Sequence, residues 1–261
     1  MLRNKDLIFY QILPSGILPG RFIFAGMGQK KLLRFSQIKS FTNVKEYPKN
    51  AAGTWQSFFG NTHPLVLELA CGRGEYTVGL ARLFPEQNFL GVDVKGNRMY
   101  IGARQALDNQ LTNAGFLRTQ IEMIADYFSP AEVSEIWITF PDPQLRTSKA
   151  KKRLTHPRFL RLYQQILKKG GKIHLKTDSP DLYQFTRFIL EKYQIPVIAD
   201  VDDVYKNGNP GPELSIKTHY EKLDIAQSKR IFYLCFSLDQ PLPDSDEGLQ
   251  DLLKEREQIA G

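Results

Sequence analysis

The stretch Leu65 to Asp93, LVLELACGRGEYTVGLARLFPEQNFLGVD, most constrains how this chain folds. An apolar run carries on through Glu68 to Ala70 and breaks at Cys71-Gly72-Arg73-Gly74. Tyr76, Leu80 and Leu83 then fall at helical spacing. Pro85 stops that helix, and Asn88 to Val92 reads as a second strand ending at Asp93. A strand, glycine turn, helix and strand in this order form the usual entrance to an α/β sheet that binds ligands beyond the carboxyl ends of its strands.

The residue types narrow the ligand. Gly72 and Gly74 let the backbone turn sharply and approach a bound molecule. Glu68 lies near the end of the first strand, and Asp93 ends the second, 25 positions later. An acid there can hold ribose hydroxyls. The dinucleotide fingerprint fails, because Thr77 stands where its third glycine belongs. A carboxylate inside the first motif repels a pyrophosphate and suits a ligand with positive charge. S-adenosylmethionine, with its sulfonium, ammonium and ribose, answers that description better than a dehydrogenase cofactor. The bland alternative is a structural turn with two solvated acids.

The 261 residues suffice for one large α/β domain, and a core is not in question at 42% hydrophobic content. The net charge of +7 suggests a polyanionic partner. Two cysteines, Cys71 and Cys235, make neither a disulfide framework nor a zinc site, so no metal is expected and a reducing, cytoplasmic setting fits. Residues 1–26 are apolar but interrupted by Pro14, Gly16, Pro19 and Gly20, too broken for a membrane helix. They read as a non-native or flexible extension, with Met27 as an alternative start; a poor signal peptide is the lesser reading. Residues 27–63 form a basic pre-domain segment with a short helix packed on the sheet, residues 64–238 the main domain, and residues 239–261 a flexible acidic tail with a short helix.

Further along, Lys95 to Asn109 reads as a helix, Ala114 to Thr119 as a strand and Val133 to Phe140 as a buried strand of parallel type. That strand ends in Pro141-Asp142-Pro143, where two prolines fix the backbone around a carboxylate on the same crevice as Glu68 and Asp93. From Pro143 to Thr177 there are eleven basic residues and no acid, the one-signed density that phosphate binding requires. Within it Thr155 to Leu167 reads as a helix capped by Gly170-Gly171. Lys172 to Thr177 follows as a strand ending at Asp178. Leu182 to Tyr193 is a helix, and Pro196 to Val204 and Arg230 to Leu238 are the last strands.

With these pieces in hand, the chain resembles the bacterial tRNA (guanine-N7-)-methyltransferase family from about Met27 to Leu238. LELACGRGEY, FLGVDVKG, FPDP, KKRLTHPRFL, HLKTD and THYE occur in the family's order. The resemblance implies a Rossmann-like class I methyltransferase of α/β class. Its sheet would have seven mostly parallel strands with a final antiparallel one and helices on both faces. It implies methyl transfer from S-adenosylmethionine to N7 of a guanine in the tRNA variable loop, nucleotide 46 in standard tRNA numbering. Carried over by position, Glu68, Gly72, Gly74, Asp93, Gln120 and Asp142 would contact the cofactor, with Asp142 also the active-site residue. Arg146, Asp178, Thr218, His219, Tyr220 and Glu221 would meet the guanine or its tRNA. Lys149, Lys151, Lys152, Arg153 and Arg158 are expected on the tRNA backbone. Three positions depart from the family pattern: Gln120 where an acid or Asn is common, Gln144 where a Trp is usual, and Arg146 in place of Lys. Monomer and homodimer both stay open. The rival readings are a non-catalytic tRNA-binding module on a degenerate fold, and a methyltransferase for another acceptor.

Overall fold

A computed structural model describes residues 31–223 and 229–260; the expected extension at 1–26 lies outside them. Eight strands form one sheet: β1 (Val44–Glu46), β2 (Leu65–Leu69), β3 (Asn88–Asp93), β4 (Ala114–Arg118), β5 (Val133–Thr139), β6 (Leu167–Thr177), β7 (Val197–Val201) and β8 (Phe232–Ser237). Their order across the sheet is β1-β4-β3-β2-β5-β6-β8-β7. All neighbours are parallel except β8, which runs antiparallel to both β6 and β7. The expectation of seven strands is therefore corrected to eight. The addition is β1, whose Val44, Lys45 and Glu46 pair with Phe116, Leu117 and Arg118 at one edge.

The helices are α1 (described over 31–37), α2 (Trp55–Phe59), α3 (Glu75–Leu83), α4 (Gly96–Asp108), α5 (Pro157–Ile166), α6 (Pro180–Lys192), α7 (His219–Leu223) and α8 (Leu249–Ala260). Side chains of successive strand residues alternate between the two faces. On one face Val66, Phe89, Phe116 and Trp137 meet Tyr76, Val78 and Leu80 of α3 and Met99 and Ala103 of α4. On the other, Leu67, Leu69, Leu90, Ile136, Ile138 and Leu175 meet α5, α6 and Trp55 of α2. Both faces are covered, as a parallel sheet demands. The chain leaves β2 toward β3 on one side and reaches β5 on the other, so β2 and β5 flank the topological switch point where such sheets bind ligands.

Two local expectations are revised. Gly170-Gly171 does not cap α5. The helix ends at Ile166, Leu167 is already extended (φ −72°, ψ 139°), and the glycines form a bulge inside β6. Val133 pairs with Leu167 but Glu135 pairs with Lys172, so extra β6 residues loop out there, with Gly170 at φ +74°. The acidic segment after Asp239 is packed rather than free. Leu242, Leu249 and Leu253 are buried in the core. Arg161 of α5 donates to the Pro243 carbonyl at 2.6 Å and pairs with Asp246, which also accepts from the Tyr193 hydroxyl at 2.9 Å. Gln250 of α8 donates to the Thr147 carbonyl at 3.2 Å, so this segment braces the 3₁₀ turn Thr147–Lys152. Leu249→Ala should lower the unfolding free energy by about 2–3 kcal/mol, as for a buried leucine. Denaturant titration checks this, since a free tail would leave stability within about 0.5 kcal/mol.

Candidate active site

The turn after β2 is made by backbone geometry before side chains enter. Ala70, Gly72 and Gly74 all lie at positive φ (56°, 56° and 72°), and the Gly74 amide closes the turn on the Cys71 carbonyl at 2.7 Å. A Cβ on Gly74 would meet the Phe116 ring at 2.5 Å, so packing alone requires glycine there. Gly72 has the same conformational need. A Cβ there would make only ordinary contact with Tyr220 Cε2 at 3.7 Å, so crowding does not add to that need.

Asp93 fastens this turn to the end of β3. Its Oδ2 accepts from the Gly72 amide at 2.9 Å and its Oδ1 from the Lys95 amide at 2.8 Å. Glu68 lies beneath the turn, only 3% exposed. One of its oxygens accepts from the Thr77 amide at 2.7 Å and from the Thr77 hydroxyl; the other accepts from the Thr139 hydroxyl at 2.8 Å. Burial pushes its carboxyl up from 4.5 to about 7, against the pull of the two threonines. Thr77 and Thr139 drew no attention in the sequence; Thr77 figured only as a missing glycine. Gln120 is exposed at the end of β4, where it begins the 3₁₀ turn Ile121–Tyr127.

Asp142 follows β5 on an exposed turn flanked by strained residues. Phe140 and Gln144 both have φ of 48°. Such conformations cost of order 1–3 kcal/mol each and persist only where surroundings impose them. The restraint is visible. The Gln144 amide donates to Asp142 Oδ1 at 3.0 Å, and the Phe140 amide donates to the Lys176 carbonyl at 2.8 Å. The Arg153 guanidinium then donates to three successive carbonyls, those of Pro143 (3.1 Å), Gln144 (3.1 Å) and Leu145 (3.2 Å). Arg153 is 6% exposed and its guanidinium carbon lies 4.4 Å from the Phe185 ring centre. Its expected place on a tRNA backbone is therefore revised: it clamps the loop that carries Asp142.

The rest of the basic run divides by location. Arg146, Lys149, Lys151, Lys152 and Arg158 are exposed, the first four on the segment that follows Asp142 in the chain. Lys168, Lys169 and Lys172 lie at the β6 bulge, at the far end of the sheet from the crevice. Arg161 is held by Asp246, and Lys176 is fully buried. Asp178 follows β6, half-buried, on the same edge as Asp142.

Thr218, His219, Tyr220 and Glu221 reach the crevice from the opposite wall, but not all face it. Thr218 is buried and its hydroxyl accepts from the Glu221 amide at 3.1 Å, capping α7. Glu221 pairs inward with Lys176 at 2.9 Å. His219 and Tyr220 remain half-buried, Tyr220 beside Gly72 and with the Arg98 guanidinium carbon 5.7 Å from its ring centre. Lys176 was counted in the basic run. Its place inside the apolar strand IHLKT was the available signal of burial. No group of metal-ligating side chains occurs among the described residues, and no described helix is long and apolar enough to cross a membrane.

An open glycine turn under a ribose-type acid, with further carboxylates instead of phosphate-binding donors, fits a cationic nucleoside. The strand order and this crevice define a class I S-adenosylmethionine-dependent methyltransferase. Solved structures share the fold. A 30S ribosomal A1408 methyltransferase from an uncultured bacterium covers 74% of this chain and 95% of its own at TM-score 0.52 and 17% identity. The 16S rRNA methyltransferase KamB gives TM-score 0.55 at 14% identity, over 71% of this chain and 93% of its own. The family model described as "Putative methyltransferase" matches residues 62–234. The tRNA (guanine-N(7)-)-methyltransferase of Porphyromonas gingivalis is 51% identical over 216 residues, 78% of this chain and 88% of that protein. That of Bacteroides thetaiotaomicron is 47% identical over 223 residues, 82% of this chain and 88% of its own. The chain belongs to the tRNA (guanine-N(7)-)-methyltransferase family.

The raised Glu68 carboxyl has a testable sign. The folded state favours the protonated acid, so its contribution to stability is full below about pH 4.5 and is lost as the pH rises through about 7. Glu68→Gln, which imitates the protonated form, should raise the melting temperature at pH 8 and change it little at pH 4.5. Equal shifts at both pH values would refute the buried-carboxyl account.

Proposed function

We propose that this protein transfers the methyl group of S-adenosylmethionine to N7 of a guanine in tRNA, at nucleotide 46 of the variable loop, in the cytoplasm. What supports the reading is that Asp93 and Tyr220 both meet the glycine turn at Gly72, while Asp142 and Asp178 follow the neighbouring strands β5 and β6 at the same edge of the sheet, in a chain of this family. The exposed cations Arg146, Lys149, Lys151 and Lys152 follow Asp142 on the turn that Arg153 closes, which supports a phosphate-binding role.

When bound, the cofactor supplies a methyl group on a positively charged sulfur, which guanine N7 displaces with its lone pair. N7 carries no proton, so the residues around it serve to orient rather than to deprotonate. Asp93 holds the ribose hydroxyls while its backbone contacts keep the glycine turn closed. Glu68 acts from below, fixing β2, α3 and β5, and its negative charge favours a cation above it. Gly72 and Gly74 let the backbone approach the cofactor, and Gln120 lies toward the base. Asp142 accepts hydrogen bonds from the guanine N1–H and N2 amino edge, which selects guanine over adenine; Asp178 supports it. Arg146, Lys149, Lys151, Lys152 and Arg158 contact phosphates, and His219 and Tyr220 close on the exposed base.

Incubation with labelled S-adenosylmethionine and unmodified tRNA, then reduction and aniline treatment, tests the reading directly. Strand cleavage at one variable-loop guanine is the expected result; label elsewhere moves the acceptor, and no incorporation rejects the activity. Asp142→Asn should slow single-turnover methylation by about 100-fold, the scale of a lost orienting contact. Retention of full rate and guanine selectivity would remove Asp142 from this role. The triple change of Lys149, Lys151 and Lys152 to Ala should reduce the slope of log affinity against log salt by about 2–3, each phosphate contact contributing about 0.7–0.9. An unchanged slope in tRNA-binding titrations would mean a merely solvated face.

A further inference from the structure

Lys176 is the most deeply buried cation described, with no exposed side-chain surface, on a strand packed on both faces. A buried ammonium persists only where donors and charge are answered. Among the described residues, the hydrogen-bond partners of the Lys176 ammonium all come from the segment between β7 and β8. Its Nζ donates to the Leu214 carbonyl at 2.7 Å, the Ile216 carbonyl at 3.0 Å and Glu221 Oε2 at 2.9 Å, with the Tyr205 hydroxyl at 3.5 Å. The other Glu221 oxygen accepts from the Tyr205 hydroxyl at 2.5 Å. The rings of Tyr76, Phe140 and Tyr205 surround the ammonium at 5.5–5.7 Å.

Among its described residues that segment has little regular structure, α7 being described over His219–Leu223. It is also attached through the Tyr76 hydroxyl on the Glu213 carbonyl at 2.6 Å, Ile216 resting on Gly79, and Tyr220 beside Arg98 and Gly72. Lys176 also faces the opposite wall through its backbone. Its carbonyl accepts from the Phe140 amide, next to Pro141 and Asp142, and Asp178 follows two residues on. One residue thus joins the loop of Asp142 to the helix of Tyr220.

We infer that Lys176 and Glu221 are a positioning pair that holds α7, with His219 and Tyr220, across the crevice, and that Glu221 acts through α7 rather than by touching tRNA. The inference rests on the function proposed above. It departs from the role that family resemblance gives Glu221, because its carboxylate, with 4% side-chain exposure, is turned inward onto Lys176 and Tyr205.

The test uses Lys176→Met, Glu221→Gln, their double variant and Tyr205→Phe in the full chain. Each is assayed for methylation of tRNA per cofactor-binding site, for tRNA affinity against salt, and for amide exchange by mass spectrometry. The pair predicts that each single charge change lowers kcat by about 100-fold, as for misplaced reacting groups. The double variant should be no worse than the poorer single, because the two act as a unit. KM for tRNA and its salt slope should stay unchanged, while exchange accelerates at 205–223 and not in β2 to β5. Tyr205→Phe, which keeps the pair and removes one bond, should shift exchange and kcat in the same direction by about tenfold. It keeps the test decisive if Lys176→Met does not fold. Weakened tRNA affinity in Glu221→Gln with exchange at 205–223 unchanged would overturn the inference and return Glu221 to the RNA. Multiplying defects in the double variant would overturn it as well. Exchange and cofactor binding need no tRNA, so a wrong acceptor assignment would show as absent tRNA methylation in the parent while these readouts still test the pair.

Discussion

A buried carboxylate is the interaction on which this molecule depends. Glu68 sits at the switch point of the sheet and accepts hydrogen bonds from Thr77 at the start of α3 and from Thr139 at the end of β5. It therefore ties together the two strands that flank the crevice and the helix that begins at the glycine turn. Holding a carboxyl there is unfavourable, as its elevation to about 7 records. A neutral side chain of the same shape would fold at least as well above neutral pH. What the acid adds is the capacity for a negative charge at the switch point, which no neutral side chain of that shape has.

Much of this site was legible because parallel sheets put function at the ends of strands. Once the strands were located, Glu68, Asp93, Asp142 and Asp178 fell on one edge without further information. The strand β1 was not legible, since three residues carry no period and its pairing with β4 spans about 70 positions. Gly170-Gly171 was misread for a sound reason, because glycine after a helix is usually a cap; here the chain turns extended at Leu167 before the glycines arrive. The packed tail was hidden by its composition, in which Leu242, Leu249 and Leu253 are diluted by seven acids.

The basic run shows why counting charge differs from locating it. Eleven cations without an acid look like one surface. In three dimensions five are exposed between the end of β5 and the first turn of α5, three sit at the opposite end of the sheet, and Arg153, Arg161 and Lys176 are occupied within the protein. Arg153 and Lys176 do comparable jobs with different chemistry. The planar guanidinium reaches three successive carbonyls of an irregular loop, and the compact ammonium gathers two carbonyls and a carboxylate at a point. A phosphate-binding residue and a loop-clamping residue share a composition, and only burial separates them.

The antiparallel strand β8 has a temporal consequence. It lies between β6 and β7, so β7 has no place in the sheet until residues 232–237 arrive. The strands β1 to β6 are all synthesised before residues 232–237 and pair without them, although β1–β4 and β2–β5 are themselves long-range contacts, whereas β7 joins the sheet only through β8. The segment that bears Tyr220 is anchored between β7 and β8 and must settle with them. In order of synthesis, the strands that lead into Gly72, Asp93 and Asp142 are thus in place before the segment that bears Tyr220 can settle across from them.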